Sequence, residues 1–416
     1  MNVSYLMLAG LFGLAANTPL GAQTLSLEDA LLAGEAQAPR LTAQRFAVNA
    51  AGYQIGRAGE LPDPRLRLGL ENLPVTGQGR FRYDFDFMTQ RTVGIAQEFP
   101  NDAKRAARNA RAGRQRDFEV ANLAAQLALA QREIAAAWLD VHYAEQARIA
   151  LLKLAGQYRL QSDAAPSGLA RGRQTAADGY ALRSAFEQAN DRIIEQERAV
   201  EKARNALAAW IGEQARRPLA APPDTARFEH PIEHLVERLA EHPTLRVLDE
   251  REALARAEVD LAKSTRERDW SLEVGYSQRK PAFDNMISVT VAIDLPIAKE
   301  RRQDRDVASK LAEVEQARAL REDARRMHEV EVRNLLVDWN TAQKRIDRFV
   351  AVLLPLARER AQAALAAYQG ARGELNAVLE AQRALTETEL ARLQSETERA
   401  RAWAGLNYLY PHEGHS

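Results

Sequence analysis

The side chains in this chain that could do chemistry are few, and most are charged rather than nucleophilic. Among its 416 residues there is no cysteine. That excludes disulfides, thiolate metal sites, a cysteine nucleophile and lipid attachment at an N-terminal cysteine. Seven histidines remain. His230 and His234 stand four apart, and His412-Glu-Gly-His415 lies in the C-terminal tail. Imidazole suits borderline metals, but each pair brings two nitrogens beside a loop, an incomplete site. His412 and His415 are kept as weak metal candidates only. The acids Asp178, Glu374 and Glu380, with Asn376 between the last two, form a second set. Carboxylates grouped together attract cations and, if crowded, repel one another. The third set is a stripe of Arg105, Arg108, Arg111 and Arg114, one helical turn apart, with Arg301, Arg302 and Arg305 at the corresponding place 200 residues on. Such a stripe is either a solvated helix face or a basic collar for anionic lipid head groups. No phosphate-cradling glycine loop, nucleophile elbow or metalloprotease histidine pair occurs. The chain reads as a non-enzyme with no cofactor.

These residues must be held by long helices and a few strands. Ala, Leu, Glu, Arg and Gln dominate, so most of the chain should be helical. The 57 basic and 57 acidic residues cancel, and bulk charge gives no reason for a nucleic-acid partner. The stretch 285–296 is different. Ile287, Val289, Val291, Ile293 and Leu295 alternate with Ser288, Thr290, Ala292 and Asp294. That period of two makes a strand with one oily face, of the length that crosses a bilayer in a barrel. Pro296 ends it and a long helical pattern begins. The same punctuation occurs at 91–100, ending in Phe99-Pro100.

In chain order, 1–22 reads as a secretory signal: an apolar run over 6–16 and Leu20-Gly-Ala22 before a cut near Gln23. No Lys or Arg precedes Arg40, so the usual basic leader is missing; a buried N-terminal helix is the other reading. A first structural repeat covers 23–217: a short helix capped by Ser26, a second helix broken off at Pro39, strands at 65–73 and 91–99, a helix from 101 to about 161, a turn over 162–172, and a return helix to Gly212. A linker spans 218–228. The second repeat, 229–411, has the same order: a short helix from Ile232, a helix to about Arg268, strands at 270–278 and 285–296, a long helix from Ala298 to about Tyr368, a turn at Gly370 to Gly373, and a return helix. The tail is 412–416. Pro355 should kink its helix. Trp138 and Trp339 occupy matching places in the two long helices. No stretch after the signal has the length of a transmembrane helix.

Open strand edges do not survive in hydrocarbon, so the strands must be shared with other copies. With four strands a chain, two copies give eight and three give twelve, and the strand pattern does not choose between them. Closed cyclic symmetry is the default.

The duplicated layout, the strand-to-helix junctions Gln97-Glu-Phe-Pro100 and Ile293-Asp-Leu-Pro296, and the tip at 368–381 resemble the TolC family of outer-membrane efflux channels. Glu71-Asn-Leu-Pro, then 86–91 with Gln97-Glu-Phe-Pro and Lys104-Arg105, is most similar to its heavy-metal (CzcC-like) branch. The resemblance implies a mainly α fold with a small β part: helical hairpins forming an α-barrel tunnel across the periplasm, and four strands per chain in a shared β-barrel. It implies a homotrimer in outer-membrane lipid, docked tip to tip with a periplasmic adaptor (a membrane fusion protein) that bridges to a proton-driven inner-membrane RND transporter. The tips would be Gly168 and Gly172 in the first hairpin and Gly370 and Gly373 in the second. Glu380, after Val378-Leu379, falls where the family carries an aperture acid; the companion position is Ala377, flanked by Asn376. The alternative for Glu380 is a solvated charge paired with Arg383. The implied function is a passive exit duct for heavy-metal cations. Drugs or other organic compounds are the alternative cargo, and a non-channel periplasmic coiled-coil scaffold is the rival class. A scaffold has no use for oily outward faces.

Overall fold

A computed structural model describes residues 24–170, 175–228 and 241–411. The expected signal segment, the helix expected from Ile232, and His230, His234, Gly172, His412 and His415 lie outside the described residues.

The chain is mostly helical with one small antiparallel sheet, as expected. Helix α1 (Leu27–Gln37) starts in a capping box: Ser26 Oγ accepts from Asp29 N at 3.0 Å while Asp29 accepts from Ser26 N. Helix α2 (Pro39–Ala58) has its proline in the first turn, where no N–H is missed. Strands β1 (Arg65–Glu71) and β2 (Gln90–Phe99) lead into α3 (Asp102–Ala170), 69 residues and roughly 100 Å long. Asn101 caps α3 through Lys104 N at 2.7 Å. Helix α4 (Ala176–Ile211) returns, and α5 (Pro243–Ser264) leads to β3 (Trp270–Gln278) and β4 (Met286–Ile293). Then come α6 (Gln303–Arg348), a π-helical turn (Phe349–Leu353), α7 (Leu354–Gln369) and α8 (Leu375–Asn407).

Two helix boundaries differ from expectation. Helix α3 runs on to Ala170 rather than turning near 162, so Gly168 lies in its last turn; residues 171–174 are outside the described residues. Its end is held by tertiary contact: Ala165 is buried in a cluster with Leu182 and Leu375, which overrides the turn character of Ser, Gly and Pro there. Helix α6 begins only at Gln303, after a 3₁₀ turn at Lys299–Arg301. At Pro355 the helix is continuous but widened. Leu354 N bonds Phe349 O, five residues back, in the π turn just ahead of the proline that has no N–H to give.

The sheet order is β1-β2-β3-β4, all antiparallel. The central pair joins strands from the two halves of the sequence. Helix α3 packs on α2, α4, α5 and α8, and α6 on α5 and α8. The largest core cluster gathers Ile134, Trp138, Leu139, Leu207, Ile211 and Trp403. The matching tryptophans do matching work: Trp138 Nε1 donates to Leu25 O at 3.2 Å, and Trp339 Nε1 to Thr225 O at 3.0 Å. The segment 218–228 is packed rather than loose. Leu219 bridges to Leu25, Leu25 N donates to Pro218 O at 2.8 Å, and Arg227 O accepts from Trp403 Nε1 at 2.7 Å.

Candidate functional site

Three regions carry the candidate residues: the sheet, the hairpin tip at 370–380, and the junctions between them. In the sheet, cross-strand register decides which side chains share a face. Leu66 faces Ile95, Ile95 faces Val274 and Val274 faces Val289; Leu68, Val93, Tyr276 and Ile287 form the next row, and Leu272 and Val291 another. All of the oily alternation therefore lies on one side, and most of it is exposed in the single chain. The other side is polar: Arg67 reaches Glu273 at 2.5 Å, Thr92 lies 3.5 Å from Ser277, and Gln90 donates to Glu71 at 2.8 Å. Gly94 and Gly275 face each other on that polar side, where a Cβ on Gly275 would meet Ser288 Oγ at 2.8 Å. The pair lets the backbones approach closely on that side.

At the tip, α7 ends at Gly370 and α8 starts after Glu374. The backbone reverses through Gly370 N to Ala366 O at 3.0 Å and Arg372 N to Ala367 O at 2.8 Å. The left-handed conformation belongs to Ala371 (φ 56°), whereas Gly370 has φ −80°. Gly373 is needed for space, because a Cβ there would lie 3.1 Å from Ala367 Cβ. Leu375, Val378 and Ala381 are buried, so Glu380 and Asn376 turn to the exposed side of α8. Glu380 lies 3.4 Å from Arg360 on α7. Its expected partner Arg383 instead donates to Gln188 on α4. Glu374 is exposed and makes no side-chain cap. Asp178 is committed locally: its Oδ2 accepts from Thr175 N at 2.8 Å and Thr175 Oγ1 at 2.9 Å, closing the capping box of α4.

The arginine stripe is largely neutralised within the chain. Arg111 forks onto Glu258 at 2.9 and 3.1 Å, Arg105 Nε donates to Gly59 O at 3.0 Å, and Arg114 lies 3.6 Å from Asp117. Arg301, Arg302 and Arg305 are exposed. Glu258 and Asp269, which organise this junction, carried no motif. Asp269 accepts from Asn101 N and Nδ2, both at 2.9 Å, and from Lys104. Burial pushes its pKa up, but these hydrogen bonds outweigh that and hold the carboxyl below its usual range.

A second cluster had no sequence signal. His242, the N-cap of α5, accepts from Thr244 N at 3.3 Å, and its ring lies 4.3 Å from that of His328 on α6. His328 Nδ1 is 3.2 Å from Glu331, which also pairs with Arg132 of α3 at 2.7 Å. Burial, and then His328, drive His242 down to about 4; hydrogen bonds from His328 and Arg132 hold Glu331 at about 2. Among the described residues no three His, Asp or Glu side chains are grouped to hold a metal ion.

The sequence matches no family model and no curated protein. Solved structures do match. CusC, whose structures trace transmembrane channel formation, aligns at 16% identity over 93% of this chain and 92% of that one, with a TM-score of 0.77. The outer-membrane channel CmeC of Campylobacter jejuni aligns at 12% identity over 92% and 85%, with a TM-score of 0.78. The open-state outer-membrane channel MtrE of Neisseria gonorrhoeae aligns at 18% identity over 92% and 88%, with a TM-score of 0.72. The chain has the fold of these outer-membrane channels.

Proposed function

We propose that three copies of this chain join their sheets edge to edge into one barrel in the outer membrane, continued by a helical tunnel across the periplasm. The assembly is the passive exit duct of a tripartite efflux system. The observation that carries this reading is the sheet itself. It has one oily face aligned by register and open edges on β1 and β4, and neither water nor lipid tolerates that arrangement alone. Closing it with further copies removes the edges, puts the oily face toward lipid and puts the Arg67–Glu273 face toward a wet lumen. The long hairpins then carry the tips, with Gly370 and Gly373 in one and the 168–172 region in the other, to a periplasmic adaptor and through it to a proton-driven inner-membrane RND pump.

The cargo we propose is heavy-metal cations. The heavy-metal-branch resemblance of 71–74 and 86–105 supports this, and so does the exposed carboxylate Glu380 close to the tip. Three copies of it around an axis would favour cations while binding none tightly, which suits a conduit. Two measurements test the reading. Recovery of a heat-modifiable oligomer in the outer-membrane fraction checks the barrel, and a purely soluble protein would sink it. A strain lacking the chain should become sensitive to divalent or monovalent heavy metals; sensitivity to dyes and drugs alone would transfer the cargo to organic compounds. In planar bilayers at low salt, where screening is least, Glu380→Gln should weaken cation selectivity and Glu380→Lys should weaken it further or reverse it. Unchanged selectivity in both leaves Glu380 as the Arg360 partner and no more.

A further inference from the structure

Both ends of the sheet carry aromatic side chains, but the two ends differ in how their cations meet those rings. At the helix end Phe99 and Trp270, partners across β2 and β3, stack with centroids 4.2 Å apart. Of the cations there, Arg65 pairs with Glu98 at 3.0 Å and Lys104 with Asp269, while Arg301 and Arg302 are exposed but, among the described residues, lie over no ring. At the loop end, 80–87 reads Arg-Phe-Arg-Tyr-Asp-Phe-Asp-Phe. This alternates like a strand yet forms no ladder. Phe81, Tyr83, Phe85 and Phe87 stay exposed, and cations lie over the rings. Arg80 is 4.9 Å from the Phe81 centroid, Arg82 5.6 Å from Phe85, Arg91 4.1 Å from Tyr83 and Lys280 5.1 Å from Phe283. Lys280 Nζ also donates to Phe85 O at 3.0 Å, and Phe87 lies 6.3 Å from Phe283, so the two loops form one cap.

Register gives the direction of that cap. Arg91 faces Leu70 on β1 and Gln278 on β3, in phase with Val93 and Ile95, and therefore stands at the rim of the oily face with Tyr83 over it. Arg279 belongs to the other side, since its Nη1 reaches Met286 Sδ at 3.4 Å in the polar row. An arginine facing lipid is costly at the bilayer centre and nearly neutral at the interface. From Trp270 to Gln278 the strand runs about 26 Å at ~3.3 Å per residue, or roughly 20 Å along the membrane normal at a barrel strand's usual tilt, most of the height of an apolar band. Arg91 thus falls at head-group level in the leaflet away from the helices, where aromatic rings anchor. The loops' own acids neutralise the cap only in part. Asp84 lies 3.5 Å from Arg82 and Asp86 accepts from Met88 N at 2.8 Å, while Arg91 has no carboxylate partner among the described residues. A guanidinium stacked on a ring keeps its N–H edge free for a planar or tetrahedral oxyanion.

We propose that Arg91 and Tyr83, with Arg80, Arg82 and Lys280, form a binding site for the phosphate groups of a phosphorylated glycolipid in the outer leaflet. The site rests on the reading of the sheet as an outer-membrane barrel. Cations are spread over two loops, which fits a sugar head group carrying more than one phosphate at fixed separation better than a single phosphodiester. The exposed aromatic faces suit the apolar side of a sugar ring, and the row Val93–Tyr276 beneath suits its acyl chains.

The full-length protein in neutral detergent is titrated with diphosphorylated disaccharide lipid A, with its dephosphorylated form and with phosphatidylglycerol, and bound lipid is counted by native mass spectrometry. The diphosphorylated form is expected to bind about tenfold tighter than the dephosphorylated one, as one or two charge-assisted contacts would give, and tighter than phosphatidylglycerol. Arg82→Gln with Arg91→Gln should remove most of that difference, and Arg91→Lys should keep part of it. Arg80→Gln with Lys280→Gln, both in loops, gives a second variant should the first not assemble. Indifference to phosphate, or unchanged affinity in a properly assembled double variant, overturns the site; phosphatidylglycerol bound as tightly overturns the glycolipid assignment. Wild-type protein recovered in the outer membrane yet indifferent to phosphate refutes the site alone. Wild-type protein absent from that membrane refutes the barrel reading beneath it, and the site with it.

Discussion

The two halves of the chain share a plan and differ in how firmly it is held. In the first half, Asn101 caps a helix that runs unbroken for 69 residues, and α4 starts in the Thr175–Asp178 capping box. In the second, a 3₁₀ turn precedes α6, a π turn interrupts the long helix, and α8 starts with no side-chain cap. The tryptophan pins repeat the difference: Trp138 is fully buried, Trp339 only partly. Duplication kept the contacts that close each repeat on its leading segment. It did not keep the side-chain capping of the return helices.

The largest test of that contrast is at the pins. Trp138→Ala should cost about 3–5 kcal/mol and Trp339→Ala clearly less, read from denaturant midpoints. Equal losses would show the two pins to be equivalent after all. The sheet is where the halves should behave alike. Ile95→Arg and Val289→Arg flank Val274 at one level, and each should cost roughly 2–4 kcal/mol of barrel stability, against little for Thr290→Arg on the polar face beside Glu273. A large difference between Ile95→Arg and Val289→Arg would break the equivalence.

Next in size is a pH effect centred on one histidine of the second half, larger than that of His142 in the first, which burial also lowers. His242, on α5, is faced by His328 and Glu331 of α6 and Arg132 of α3. The folded chain keeps it neutral down to about 4, while its unperturbed value is 6.5, so the unfolded state binds more protons in that window. Stability is therefore full above about pH 6.5 and falls by roughly 2 kcal/mol toward pH 4, allowing for partial exposure. His242→Asn keeps a capping side chain and should flatten the profile; an unchanged slope would remove His242 as its source. The smallest effect is at the caps. Thr175→Ala should lose about 1 kcal/mol, and Glu374→Ser should gain up to about that much by supplying the missing cap. Opposite shifts in melting temperature are expected.

How much of the molecule was legible in its sequence depended on whether the signal was local. The strands were, because alternation at 91–99 and 285–296 is forced by pleating; their register was not read from the sequence, though the one observed keeps the oily positions together. The end of α3 was not, because Ser162 to Pro166 looks like a turn until Ala165 is seen against Leu182 and Leu375. Glycines marked the second tip, but not why: the strained backbone sits at Ala371, and Gly373 serves a contact with Ala367. Glu380 was readable as an exposed acid, but not its partner Arg360, since that choice depends on how α7 lies against α8. His242 and His328 meet only because two distant helices cross at one register.

The π turn at Phe349–Leu353 has a consequence for phase. Buried positions on α6 include Val307, Val314, Val332 and Ile346; on α7 they are Leu354 and Ala361. Val307 to Val314 and Leu354 to Ala361 each span seven residues, but Ile346 to Leu354 spans eight. One residue is surplus to the repeat, and a π turn takes up one extra residue without rotating the helix beyond it. The inward seam therefore stays inward while Val350 and Val352 are pushed out to solvent. Removing one residue from 349–353 together with Pro355→Ala would leave an ordinary α-helix with the same seam. The surplus residue works as a vernier, keeping Leu354 and Ala361 on the buried face of the helix as it runs to the tip.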